Sequence, residues 1–191
     1  MSRAVVHPIE VESFEILRSR VDLSHLPPLT RAVVERVVHS SADLGYVDDL
    51  VVDEPSLRRG WEALQAGAPV VADVQMVAAG ITTRDVVCKV RTAKAAEGLT
   101  RSAAAIRDAF AEVGRGAVWV VGCAPTALFE LVEGSYDPSL VIGLPVGFVG
   151  AAESKAALRD SGLPGVSNVS EKGGSAVAAA ALNALLYTEL S

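Results

Sequence analysis

The chain has 191 residues, half of them hydrophobic, enough to bury a substantial core without disulfides or bound metal. Its formal charge of −6 excludes sequence-independent binding to nucleic acid or to anionic membranes, which need a basic face. Only 5% of the residues are aromatic and the apolar mass is Ala and Val, a composition that suits buried parallel strands under closely packed helices.

In chain order, "HPIEVESFEILRSRV" predicts a helix, with Pro8 in the first helical position and Phe14, Leu17 and Val21 at helical spacing. It lacks the basic segment and apolar run of a secretory signal, and no stretch of about 18 or more apolar residues predicts a membrane span. "HLPPLTRAVVERVVHSSADL" predicts a second helix, and "PSLRRGWEALQAGAP" a third that stops at Gly67. From residue 70 the pattern changes to short apolar runs, "VVADV", "VVCKV", "AVWVV", "LVIGL" and "GVSNV". Between and after the later runs lie the helical patterns "RSAAAIRDAFAEV", "PTALFELVEG", "AESKAALRDSG" and "SAVAAAALNALLYTEL". Strand, helix and strand in this rhythm predict an α/β fold as a single domain over 1–191. The sheet is expected to be mostly parallel with helices on both faces, behind a helical N-terminal segment.

Three strand-to-helix turns, "GCAPTA", "GLPVGFVGAAESK" and "SEKGGSA", are rich in Gly, Ser, Thr and Pro, and are expected to offer backbone donors to one anionic ligand. They are not nucleotide motifs. Gly143, Gly147 and Gly150 do not form G-x-G-x-x-G, and Lys172 precedes its glycines where a P-loop lysine follows them. For any single glycine a tight turn is an equal account. Cys123 could be a nucleophile at a helix N-terminus, but no histidine lies near it in sequence and a small buried thiol is the preferred reading. Cys88 and Cys123 lack metal-ligand spacing and fit a reduced, cytoplasmic protein. His7 and His25 read as surface or turn residues beside prolines, and with the scattered carboxylates they form no recognisable metal site.

His39 poses the sharper question. Leu29, Val33, Val37, Ser41 and Leu44 form one stripe of the second helix, joined at its edge by Val34 and Val38. His39 falls opposite, beside Glu35, Arg36 and Asp43. It is either a solvated histidine or an acid–base group next to a carboxylate-binding guanidinium, on a face that a lone subunit leaves in water and that a ligand or partner chain covers.

The ordered set "RVVH", "GITT", "TRSAAA", "APTALFEL", "PVGFVGAAESKAAL" and "KGGSAVAAAALNAL" resembles the precorrin-8X methylmutase (cobalt-precorrin-8 methylmutase) family of the cobalamin pathway, from about Ser13 to Tyr187. The resemblance implies an isomerase that moves a methyl group from carbon 11 to carbon 12 of a corrinoid macrocycle, giving hydrogenobyrinate or its cobalt counterpart, cobyrinate. It implies no cofactor, because the migrating methyl is already on the substrate. It also implies a homodimer with the active site near the subunit interface. His39 is implied as the catalytic group, with Ser13, Arg36 and Arg101 as substrate contacts. The chemistry suits the residue types. Protonation draws electron density from the ring and lowers the barrier to a 1,5-shift, and an imidazole with an ordinary pKa near 6.5 can lend and recover that proton. Acetate and propionate arms suit guanidinium forks.

The chain departs from the family pattern at Cys123, where many members carry Asn, and at Glu171, where they carry a basic residue. Its connection from "GIT" to the next strand is also shorter. Glu171 places an acid in a turn expected to bind anions. Two readings compete: a non-catalytic corrinoid carrier, and a nucleotide-binding α/β enzyme that the missing glycine motifs disfavour.

Overall fold

A computed structural model describes residues 7–190; residues 1–6 and 191, included in the domain expected over 1–191, lie outside the described residues. Its strands are β1 (Leu50–Val52), β2 (Val70–Ala72), β3 (Val86–Val87), β4 (Val118–Val121), β5 (Leu140–Gly143) and β6 (Gly165–Asn168). They form one sheet in the order β1-β6-β5-β4-β2-β3. Every neighbouring pair is parallel except β1 with β6. The five apolar runs of the sequence thus become β2 to β6. The antiparallel edge strand β1 has only three residues, too few to show a period in the sequence.

The helices are α1 (Pro8–Arg20), α2 (Pro28–Ser41), α3 (Tyr46–Asp49), α4 (Glu54–Gln65), α5 (Gln75–Gly80), α6 (Arg101–Val113), α7 (Pro125–Glu133), α8 (Ala151–Asp160) and α9 (Ser175–Tyr187). The short α3 and α5 left no periodic signal.

Strand β4 shows how the sheet divides two cores. Val118 and Val120 join Leu29, Val37, Leu57 and Leu182 on one side, while Trp119 and Val121 join Ile106, Leu128 and Leu158 on the other. Alternate side chains point to opposite faces, and with helices on both faces the strand reads as one apolar run.

Helix α9 lies on β4 and β5, and α2 lies on α9, so the N-terminal helices add a layer to that face. Buried between sheet and helix, α9 is apolar almost all round, with Val177 through Leu182 all buried. Its alanines permit close approach: a Cβ built on Gly80 would meet the Ala179 Cβ at 2.7 Å. The expected α2 stripe is buried through Val37 and Val38. Leu44 is not part of it. Ala42 turns left-handed at φ 52° and ends the helix, leaving Leu44 40% exposed.

Candidate active site

His39 lies in the last turn of α2, half-buried, and α1 of the same chain crosses its polar face. That corrects the expectation of a face left in water in a lone subunit. Two consecutive α1 residues hold the imidazole. Ser13 Oγ is 2.8 Å from His39 Nδ1, and the Phe14 ring stacks on the imidazole with centroids 4.7 Å apart and planes 12° from parallel. With Nδ1 engaged by Ser13, Nε2 is the nitrogen left for a ligand, since among the described residues His39 makes no other hydrogen bond.

The guanidiniums are also occupied. Arg36 Nη1 donates to Glu10 Oε1 at 2.5 Å, and its Cζ stands 4.9 Å from the Phe14 centroid and 5.4 Å from that of Tyr187. Tyr187 is hydrogen-bonded at 2.5 Å to Thr82, which belongs to the "GITT" motif. Arg18 forms a fork with buried Glu35, Nε at 2.9 Å and Nη2 at 2.7 Å. Helix α1 therefore answers both Glu35 and Arg36 of α2 with an opposite charge.

Of the residues carried over from the family, Ser13, Arg36 and His39 meet in this seam; Arg101 does not. It is exposed at the first position of α6, which packs with α7 on the opposite face of the sheet. His7 caps α1, its ring accepting from the Ile9 N–H, and His25 is exposed, as expected for surface residues.

Two of the three turns expected to greet an anion are filled by the protein's own groups. In "GCAPTA" the N–H groups of Gly122, Cys123 and Ala124 donate to the Asp73 carboxylate at 3.0, 2.9 and 2.8 Å. Burial pushes the Asp73 carboxyl upward, and these bonds only partly offset it. Cys123 is exposed, against the reading of a buried thiol. Partial desolvation and the Asp73 charge raise its pKa, the reverse of what a nucleophile needs.

In "SEKGGSA" the Asp49 carboxylate accepts from the backbone of Val169 and Ser170, the Ser170 hydroxyl and the Asn168 amide. Burial opposes its charge, but these bonds bring the carboxyl below its ordinary value. From the other side, fully buried Lys155 donates to Asn168 Oδ1 at 2.9 Å and to the carbonyls of Ser170 and Lys172 at 2.5 and 2.7 Å. Burial brings the Lys155 pKa down to about 8. Glu171 is exposed, and its carbonyl accepts from Gly147.

The third turn is tied through Gly147 to Glu171 but exposes its tip. Phe148 and Val149 are 97% and 88% exposed between Gly147 and Gly150, both at positive φ. Beside it a cleft of roughly 420 Å³ is lined by Ser40, Ser41, Tyr46, Val146, Lys172 and Gly174. Ser40 and Ser41 directly follow His39, so the cleft adjoins that residue at the carboxyl edge of the sheet. Lys172 pairs with Asp43 at 2.7 Å. Among the described residues no cluster of His, Cys, Asp and Glu could hold a metal ion.

No local pattern in the sequence marks Glu10, Tyr187 and Thr82 as neighbours of Arg36, or Phe14 as the partner of His39. The helical spacing of Phe14 with Leu17 marked it as core; nothing local showed that it turns toward α2.

The precorrin-8X methylmutase family model matches residues 8–188. The cobalt-precorrin-8 methylmutase of Salmonella typhimurium is 41% identical over 94% of this chain and 93% of its own. The precorrin-8X methylmutase of Pseudomonas aeruginosa is 42% identical over 91% of each. The crystal structure of a precorrin-8X methyl mutase from Thermus thermophilus superposes with a TM-score of 0.85 at 34% identity, covering 94% of this chain and 96% of that one. With the matched fold and near full-length coverage in both directions, the chain belongs to the precorrin-8X methylmutase family of isomerases.

Proposed function

We propose that the protein moves a methyl group from carbon 11 to carbon 12 of precorrin-8X or cobalt-precorrin-8, yielding hydrogenobyrinate or cobyrinate in corrin biosynthesis. The reaction is an acid-assisted 1,5-sigmatropic shift with His39 as the acid. The observation that carries this reading is the imidazole held at Nδ1 with Nε2 left free, in a seam of arginines that suit a polycarboxylate. In the imidazolium, Nδ1–H donates to Ser13 and Nε2–H gives its proton to the macrocycle. Electron density leaves the conjugated system, the bond from carbon 11 to the methyl breaks as the bond to carbon 12 forms, and the proton returns to Nε2. No atom is gained or lost, so the step calls for no cofactor. General-acid help of this kind is worth about 10²- to 10⁴-fold.

Arg36 binds a carboxylate arm by exchanging Glu10 for it, and Ser13 meets the macrocycle beside the acid. Arg101, remote within one chain, joins the site from the second subunit of a homodimer. The domain spans the whole chain, and the enzyme works in the cytoplasm, where its two unpaired thiols stay reduced. No described helix is long and apolar enough to cross a membrane.

Incubation of the purified protein with precorrin-8X and cobalt-precorrin-8 in parallel, followed by the visible spectrum of the ring, tests the proposal. Conversion of either supports it. Tight binding with no conversion would make the protein a carrier.

A further inference from the structure

We propose that Phe14 is the positioning residue of the acid, its ring fixing the plane of the His39 imidazole so that Nε2 addresses the macrocycle edge-on. The inference rests on His39 being the proton donor of the methyl shift.

The Ser13 hydroxyl holds one atom of the imidazole, Nδ1, at 2.8 Å. One hydrogen bond leaves the plane poorly determined, because the torsion that turns a histidine ring is broad. The parallel Phe14 ring, 4.7 Å away at 12°, removes that freedom. An offset stack of this kind is a favoured aromatic arrangement.

Phe14 is itself held. The guanidinium carbons of Arg18 and Arg36 lie 5.5 and 4.9 Å from its centroid, within cation–π range. Those cations are tied in turn to Glu35 and Glu10. The imidazole thus rests on an aromatic plate gripped by two ion pairs, one of them anchored through a buried glutamate.

Packing gives an independent reason. Leu17, one turn further along α1, belongs to the apolar core, whereas Phe14 stands outside every buried apolar cluster among the described residues. A large aromatic side chain only half-buried at a core-spaced position contributes little to the core. Its aromatic and cation–π partners among the described residues are His39, Arg18 and Arg36.

The test is Phe14→Leu, which keeps apolar bulk and removes the flat face, with Phe14→Tyr as the conservative control. Turnover of precorrin-8X and affinity for hydrogenobyrinate are measured together with the ¹⁵N spectrum of the His39 ring. Loss of alignment at a reacting centre costs about 10²-fold, so kcat of the Leu variant should fall by that order with product affinity unchanged. The Tyr variant should restore kcat, and the ring nitrogens of the Leu variant should lose the parental tautomer preference. Parental kcat in Phe14→Leu, or a loss of affinity matching the loss of kcat, overturns the inference. A folded Tyr variant with no recovery overturns it as well, and it decides the matter if the Leu variant fails to fold. If the parent protein converts neither substrate, the functional reading falls, while the nitrogen spectra still decide what Phe14 does to His39.

Discussion

Two regions of this molecule pair carboxylates with donors in opposite ways. At the start of α7, Asp73 is 1% exposed and satisfies three backbone N–H groups; at the α1–α2 seam, Glu10 and Arg36 pair with 31% and 23% of their side chains still exposed. A buried group with every partner satisfied is costly to disturb, so it fixes the scaffold. A pair still in touch with water is worth little and can be exchanged for a ligand. Burial makes this chemistry architecture in one place and leaves in the other an exchangeable pair, the one that the proposed function uses to bind a carboxylate.

The comparison breaks most severely if Asp73→Ala is harmless. That change strands three donors at a helix start, each at about 1–3 kcal/mol, so unfolding in denaturant should show a loss of about 3 kcal/mol or more. A midpoint at the parental value would mean that the turn is free for a ligand after all.

At the seam the expected effect is on rate. His39→Ala should lower kcat by about 10²-fold or more. Its loss of one hydrogen bond and of the Phe14 stack should cost stability about 1–3 kcal/mol, as read by thermal unfolding. A variant that turns over like the parent removes His39 from the chemistry.

Opposite substitutions of the Glu10–Arg36 pair sharpen the idea of exchange. Arg36→Ala should weaken product binding by about 1.5–3 kcal/mol, the worth of a charge-assisted bond. Glu10→Gln should tighten it by up to about 1 kcal/mol, because a competitor for the guanidinium is gone. Calorimetric titration with hydrogenobyrinate reads both; weaker binding in Glu10→Gln would mean that the pair is structural.

The scaffold adds a pH limb. Lys155, with its pKa brought from 10.5 down to about 8 by burial, binds its proton more weakly in the folded chain than in the unfolded one. Stability should therefore rise from about pH 8 toward 10.5, where only the unfolded state keeps that proton. Tyr46, pushed up to about 12, acts in the other direction above pH 10, so the measurement is the difference between the parent and Lys155→Met. A difference that stays flat over this window would show that Lys155 titrates normally.

Much of the architecture was legible in the residues. The run "AVWVV" announces a strand buried on both faces, and "RSAAAIRDAFAEV" matches the bounds of α6, because periodicity and turn chemistry are local properties. The candidate site was legible only in part. His39 stood out for lying off its own apolar stripe, and the family resemblance implied Ser13 and Arg36 beside it. Glu10 and Phe14 did not stand out, since a glutamate in the first turn of a helix and a core-spaced aromatic have ordinary local explanations.

The sequence by itself determined the alternation of strands and helices, the polar face of α2 and the family. Only the tertiary structure decided that α1 lies on that face, that Phe14 leaves the core for His39, and that Asp73 fills the "GCAPTA" turn from 49 residues away in the chain. The reason is physical: a pattern along one segment reports which of its faces is apolar. Which distant group satisfies its polar face depends on how segments are brought together, and that depends on packing across the whole fold.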